Sequence, residues 1–291
     1  MTTLYTCLSG YILKKKLLNN FILLIIVALG STTVVICYIL NISEIYESLT
    51  QIEGMWGIII FILIRISFTL GMSLIAFRQW FNQENLHLLD IPFLFGVFFL
   101  ALTFGKSLDL LYKLTYFTAE KENLLTLLKI RYILIILTAA PLVLIGIDIN
   151  LLMISNSYEK LANNSYRNRI SLVTITFIIA IESLMIILAP DLIYIRVILI
   201  CIHIPSLAWI TFTFYYVNKA KPSSQMKPLI IAIAFFIDLI LYTISIITSP
   251  YRNKNIGFSP TYIIFAEVID LIIIMIIFVG FYNERYQFIL D

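Results

Sequence analysis

The sequence predicts an all-α fold, a polytopic transmembrane helix bundle of eight spans, or of seven if the fifth and sixth merge. Three observations lead there. Of the 291 residues, 61% are hydrophobic and 13% charged, where soluble domains average about 45–50% and about 25%. The mean hydropathy is +0.98. Apolar stretches of the roughly 20 residues needed to cross a hydrocarbon core recur from Phe21 onward, with short polar breaks between them. One integral membrane domain over residues 1–291 is the expected organisation.

The first span, 21–40, follows the basic cluster Lys14-Lys15-Lys16. Its apolar run exceeds the 7–15 residues or so of a signal-peptide core and has no small-residue cleavage site, so it is read as retained. The next spans are 55–77, 91–112, 130–154 and 170–188. Ala189-Pro190-Asp191 then interrupts an apolar stretch too long for one helix, and a proline there suits the start of a new segment. That places the sixth span at 192–217, followed by 228–248 and 261–282. The loops between spans are too short for a soluble domain, which needs at least about 50 residues. The chain has no internal repeat, low-complexity segment or GxxxG face.

Lys and Arg in short loops favour the cytoplasmic side. Lys14–Lys16, Arg78, Lys160, Arg167, Arg169, Lys219, Lys221, Lys227 and Arg285 all fall on one side, with both termini. That side is expected to be cytoplasmic, in a cell membrane. The opposite side has the acidic Glu44, Glu47 and Glu53, together with Lys113, Lys121, Lys129, Arg131, Arg252 and Lys254. Trp56, Trp80, Tyr215, Tyr216, Tyr262 and Tyr282 lie near span ends, where such rings anchor helices at the interface.

The most informative residues are those that hydrocarbon excludes. Arg65, Lys106, Asp109, Glu182, His203, Asp238, Glu267 and Asp270 all fall inside spans, as do the weaker candidates Asp148, near a span end, and Arg196. A central Asp, Lys or Arg costs about 2.5–3.5 kcal/mol to insert, while each Ile, Leu or Phe returns about 0.3–0.6 kcal/mol. Single spans therefore tolerate these charges, but the uncompensated set would cost on the order of 20 kcal/mol. They are expected to face the interior and to pair or lose their charge. Lys106 and Asp109 share a helix face, as do Glu267 and Asp270. The two acids call for Arg65, Lys106 or a cation opposite, and acids outnumber bases in this set. Arg196, His203, Ser206 and Thr213 make a polar line in the sixth span, beside Pro205, which should distort it. Static ion pairs that fix helix order, and a ligand or ion site, are the two readings of such a set.

Much chemistry is excluded. There is no HExxH, GxSxG, GxxxxGK[ST] or CxxC motif. Two histidines, His87 and His203, cannot supply paired haem ligation within the bundle. Cys7, Cys37 and Cys201 have no metal or redox spacing. No cofactor, metal or catalytic residue is expected, and a net charge of +3 spread over loops does not suggest nucleic acid as a partner.

The segment from Arg131-Tyr132 through Thr138 to Pro141-Leu142 resembles the third helix of a microbial rhodopsin, with the spacing off by one residue. Such a pigment holds retinal on a lysine of its last helix. Residues 261–282 contain none, which excludes a retinal pigment.

The expectation is a non-enzymatic protein in the lipid bilayer that binds or senses an ion or small polar ligand at its charge cluster. It would signal through a protein partner or a second copy of itself. A proton- or cation-coupled transporter or channel, and a structural subunit of a membrane complex, are the alternatives.

Overall fold

The computed structural model describes residues 2–51, 54–83, 87–116, 118–155, 158–219, 227–248 and 260–282, with side chains from Asn20 onward except at 51, 196, 245–248 and 260. Among the described residues the chain forms ten helices and no strand: α1 (Thr2–Leu40), α2 (Ile42–Gln51), α3 (Met55–Phe81), α4 (Ile91–Thr115), α5 (Lys121–Ile154), α6 (Glu159–Ala162), α7 (Asn164–Leu188), α8 (Leu192–Lys219), α9 (Pro228–Thr248) and α10 (Pro260–Phe281). Seven helices are long and apolar enough to span a membrane, and the shorter apolar stretch Pro228–Ile244 of α9 makes an eighth apolar helix. This is an all-α transmembrane bundle. Helices dominate because hydrocarbon offers no water to the backbone, so each segment must satisfy its own N–H and C=O groups.

The fifth and sixth spans do not merge. α7 stops at Leu188, and Asp191 caps α8 by accepting from the backbone N–H groups of Ile193 (2.8 Å) and Tyr194 (2.9 Å). The aspartate, rather than the proline, organises that start by satisfying donors that have no partner within the helix. Within α8 the helix runs through Pro205 from Leu192 to Lys219, so the expected distortion does not break it.

Two helices lie where the sequence suggested loops. α2 follows α1 after a one-residue turn at Asn41, and Gly54 joins the chain to α3 with φ of 81°. That left-handed conformation favours glycine. Ile45 and Leu49 pack α2 down onto the bundle, and the Thr118 hydroxyl donates to the Glu44 carbonyl at 3.0 Å. α5 begins nine residues earlier than the predicted span, at Lys121, a shift that matters for Arg131 below.

α3, α4, α5, α8, α9 and α10 each pack on the next around a closed ring, with α10 returning to α3. α7 packs outside against α5, and α1 against α4. The bundle has two unlike halves. Toward the end away from α2, the interior is aromatic: Phe95 stacks on Phe281 at 4.5 Å and packs near Phe214, while Phe98 meets Phe235. Gly96 lets Phe77 of α3 sit where a Cβ would come within 2.7 Å, and its carbonyl accepts from the Ser73 hydroxyl at 2.9 Å. Toward the α2 end, Met55, Ile58, Ile62, Leu110, Leu114 and Ile263 form a smaller apolar layer. The charged residues lie between the two.

Candidate functional site: an ion-paired centre

Arg65 on α3, Arg131 on α5 and Asp270 on α10 each lie roughly ten residues from the α2 end of their helices, a depth of about 15 Å at 1.5 Å per residue. Asp109 and Lys106 approach the same level from the C-terminal part of α4. This shared depth lets four helices build one network.

Arg65 Nη1 donates to Glu267 Oε2 at 2.6 Å and to Asp270 Oδ2 at 2.7 Å. Lys106 lies 3.2 Å from Asp109, 3.1 Å from Glu267 and 3.6 Å from Asp270. Lys113 reaches Asp109 at 3.0 Å and Glu267 at 2.7 Å. Arg131 Nη2 completes the set, 2.6 Å from Asp109 Oδ1. Arg65, Asp109 and Glu267 are buried. Four bases therefore hold three acids, so the sequence-based excess of acids does not describe this centre. Lys113 and Arg131, assigned to a loop from the sequence, are the reason. Lys113 stands near the end of α4 and sends its long side chain inward, and Arg131 is well inside a helix that starts earlier than expected.

The like-charged pair Glu267 and Asp270 is accommodated because Arg65 and Lys106 lie opposite. Removing one partner from a buried pair strands the other in low dielectric, which makes such networks mutually dependent. Hydroxyls support the frame: Thr103 donates to Thr69 at 3.0 Å between α4 and α3, and Tyr38 of α1 donates to the Ser107 carbonyl at 2.9 Å. The Arg131 guanidinium also lies 5.4 Å from the Tyr112 ring centroid and 5.7 Å from that of Tyr132.

Asp238 on α9 is different. It lies within electrostatic reach of Asp270, Arg65 and Lys106, so it faces into the ring, yet it forms no hydrogen bond or ion pair among the described residues. One turn further along the same face, Tyr242 lies within electrostatic reach of Asp238, Arg131 and Tyr132. Its ring meets His203 of α8 edge-on, with centroids 4.6 Å apart. Asp238, Tyr242, His203 and Tyr132 are all only partly buried, and none has a hydrogen-bond partner among the described residues. The Asp270 side chain is 41% exposed. Arg65 Nε, buried and without a hydrogen-bond partner among the described residues, is one more unmet donor in this centre.

The remaining candidates lie apart. Asp148 accepts from Arg167 Nε at 2.9 Å and from Ser171 at 3.5 Å, tying α5 to α7 near the opposite end. Glu182 borders a small cavity of about 20 Å³ with Ala140, Val143, Ile175 and Ser206, room for about one water. The Arg196 side chain lies outside the described residues, as do Glu53, Lys221, Arg252, Lys254 and Arg285. Among the described residues no group of three His, Cys, Asp or Glu side chains is placed to hold a metal.

Lys113, Arg131, Tyr132 and Tyr242 are the site residues that the sequence reading missed. For Lys113 a signal existed, its four-residue spacing from Asp109 on one helix face. For the two tyrosines none did, since a tyrosine near a span end ordinarily reads as an interfacial anchor. No family model, no curated protein and no solved structure matches the chain.

Proposed function

We propose that this membrane protein is a non-enzymatic receptor that binds or senses an ion or small polar ligand at its intramembrane charge cluster, beside Asp238, and passes the change to a partner. The observation that carries the reading is Asp238, which lies within electrostatic reach of Asp270, Arg65 and Lys106 yet has no hydrogen bond or ion pair among the described residues, close to the His203–Tyr242 ring pair of α8 and α9. Unmet polar groups at membrane depth are costly. A bound ligand or water meets that need. Binding at Asp238 acts on Asp270, and through Arg65 on Glu267, so it adjusts the bonds that hold α10 to α3. An equilibrium between two arrangements is shifted by a ligand only through such differential contacts.

The α2 end is the extracytoplasmic end in this reading. Lys113 and Arg131 are drawn into the buried network, so they drop out of the loop-charge balance, while Arg78, Lys160, Arg169, Lys219 and Lys227 stay at or near the opposite end. The charge cluster then takes its ligand from outside the cell membrane.

The test is the melting temperature of purified protein against a panel of inorganic cations, protons and small polar solutes. The expected result is a concentration-dependent rise that Asp238→Asn abolishes. No rise with any of them, or rises that Asp238→Asn leaves intact, overturns the reading. A second reading, cation or proton transport, is supported by the half-exposed Asp270 beside Asp238. Flux into liposomes under an imposed gradient, lost in Asp238→Asn, would favour it over reception.

A further inference from the structure

α7 carries its buried residues on one stripe. Ser171, Ile175 and Ile186 are buried, and Ile179 packs against the core. Glu182 falls seven residues after Ile175 and four before Ile186. That spacing turns its carboxyl toward the ring, away from the exposed Phe177, Ile181, Leu184 and Leu188. Nearer the other end of α7, Arg167 pairs directly with Asp148 of α5 at 2.9 Å. Glu182 has no such contact: it makes no hydrogen bond or ion pair among the described residues.

What Glu182 borders is the cavity of about 20 Å³ between α5, α7 and α8. Isoleucine, alanine and valine side chains of α5 and α7 form most of the wall, and Ser206 of α8 is the one other polar side chain in it. Ser206 also makes no hydrogen bond among the described residues. A void lined only by hydrocarbon stays dry. A carboxyl facing such a void loses its hydration without replacement, at a cost. The volume here admits about one water, and a buried water makes two to four hydrogen bonds. Glu182 and Ser206 supply two partners from two different helices.

We infer that this cavity is a hydration site in which one water bridges the Glu182 carboxyl of α7 to the Ser206 hydroxyl of α8. The bridge ties the outer helix to the ring where α7 packs on α8 only lightly. It is separate from the charge cluster and stands whether or not that cluster binds a ligand.

The experiment fills the cavity and reads the melting temperature of the full chain in a neutral detergent. Ala140→Val adds two methyl groups to the wall. Filling a dry void improves packing and raises the melting temperature. Filling a hydrated one expels the water, strands Glu182 and lowers it. The expected result is a fall in Ala140→Val that is absent or reversed when Glu182→Leu is also present, because leucine leaves no polar group to strand. Ser206→Ala, which removes one of the water's partners, shrinks the fall. Ala139→Val, on the same wall, gives the same pattern and serves if Ala140→Val does not fold. A rise with Glu182 intact, or an equal fall with and without Glu182, overturns the water site. A fall that Ser206→Ala leaves unchanged overturns the bridge to α8.

Discussion

Glu267 Oε2 on α10 accepts a hydrogen bond from Arg65 Nη1 on α3 at 2.6 Å, across 202 residues of sequence. This contact joins the last described helix to one of the first and closes the ring around the charged centre. The same arginine nitrogen holds Asp270, and the same carboxylate takes Lys106 and Lys113. The strength of the closure depends on burial, since both side chains are about 5% exposed or less.

Replacing Arg65 with Met should therefore leave Glu267 under-compensated beside Asp270. The expected loss is about 3–5 kcal/mol, the usual cost of breaking one side of a buried pair. Chemical denaturation in mild detergent measures it. Adding Glu267→Gln to Arg65→Met should recover part of the loss, because the stranded charge is then removed. An additive double variant would show that the two residues do not act as a pair.

Asp238→Asn should behave in the opposite way. With no ion pair or hydrogen bond to lose among the described residues, the change should cost less than about 1 kcal/mol, while abolishing the response to ligand. A large loss of stability in the absence of ligand would mean that Asp238 is a structural member of the network.

The Ser73 hydroxyl donates to the Gly96 carbonyl between α3 and α4 at 2.9 Å. Ser73→Ala should cost about 0.6 kcal/mol and no more than about 1.7, the range for hydrogen bonds between membrane helices. Asp191→Ala removes the cap of α8 and should cost about 1 kcal/mol. Unfolding curves of the two variants beside wild type test both values.

The orientation is testable with impermeant thiol reagents on intact cells, after replacing Cys7, Cys37 and Cys201 by Ser. Glu120→Cys, just before α5 at the α2 end, should be labelled from outside, and Asn163→Cys, before α7, should not. The reverse pattern would invert the assigned direction of the whole bundle.

Much of this protein was legible in the sequence because the bilayer imposes a simple rule. Twenty apolar residues in a row have one stable solution, a helix, and that rule located each long helix here from Phe21 to Phe281. The same rule flagged Arg65, Lys106, Asp109, Glu267 and Asp270 as residues needing partners, and the i,i+3 spacing identified Lys106 and Asp109 as one pair. Local pattern could not reveal α2, whose ten residues include Glu44 and Glu47 and resemble a polar loop. It misplaced the start of α5, because Lys121, Lys129 and Arg131 look like loop charges until one of them is seen to meet Asp109.

What the sequence determined by itself was the class of fold, the approximate spans and the presence of charges that hydrocarbon cannot leave alone, all of which depend on short windows and on transfer free energies. Only the tertiary structure decided that Lys113 and Arg131 join the centre, that Glu182 and Asp148 stay apart from it, and that Asp238 faces the network unpaired. Those outcomes depend on how six helices rotate and shift along one another in the ring. Helical periodicity places a residue on a face of its own helix, but which other helix that face meets, and at what depth, is set by the packing of the whole bundle.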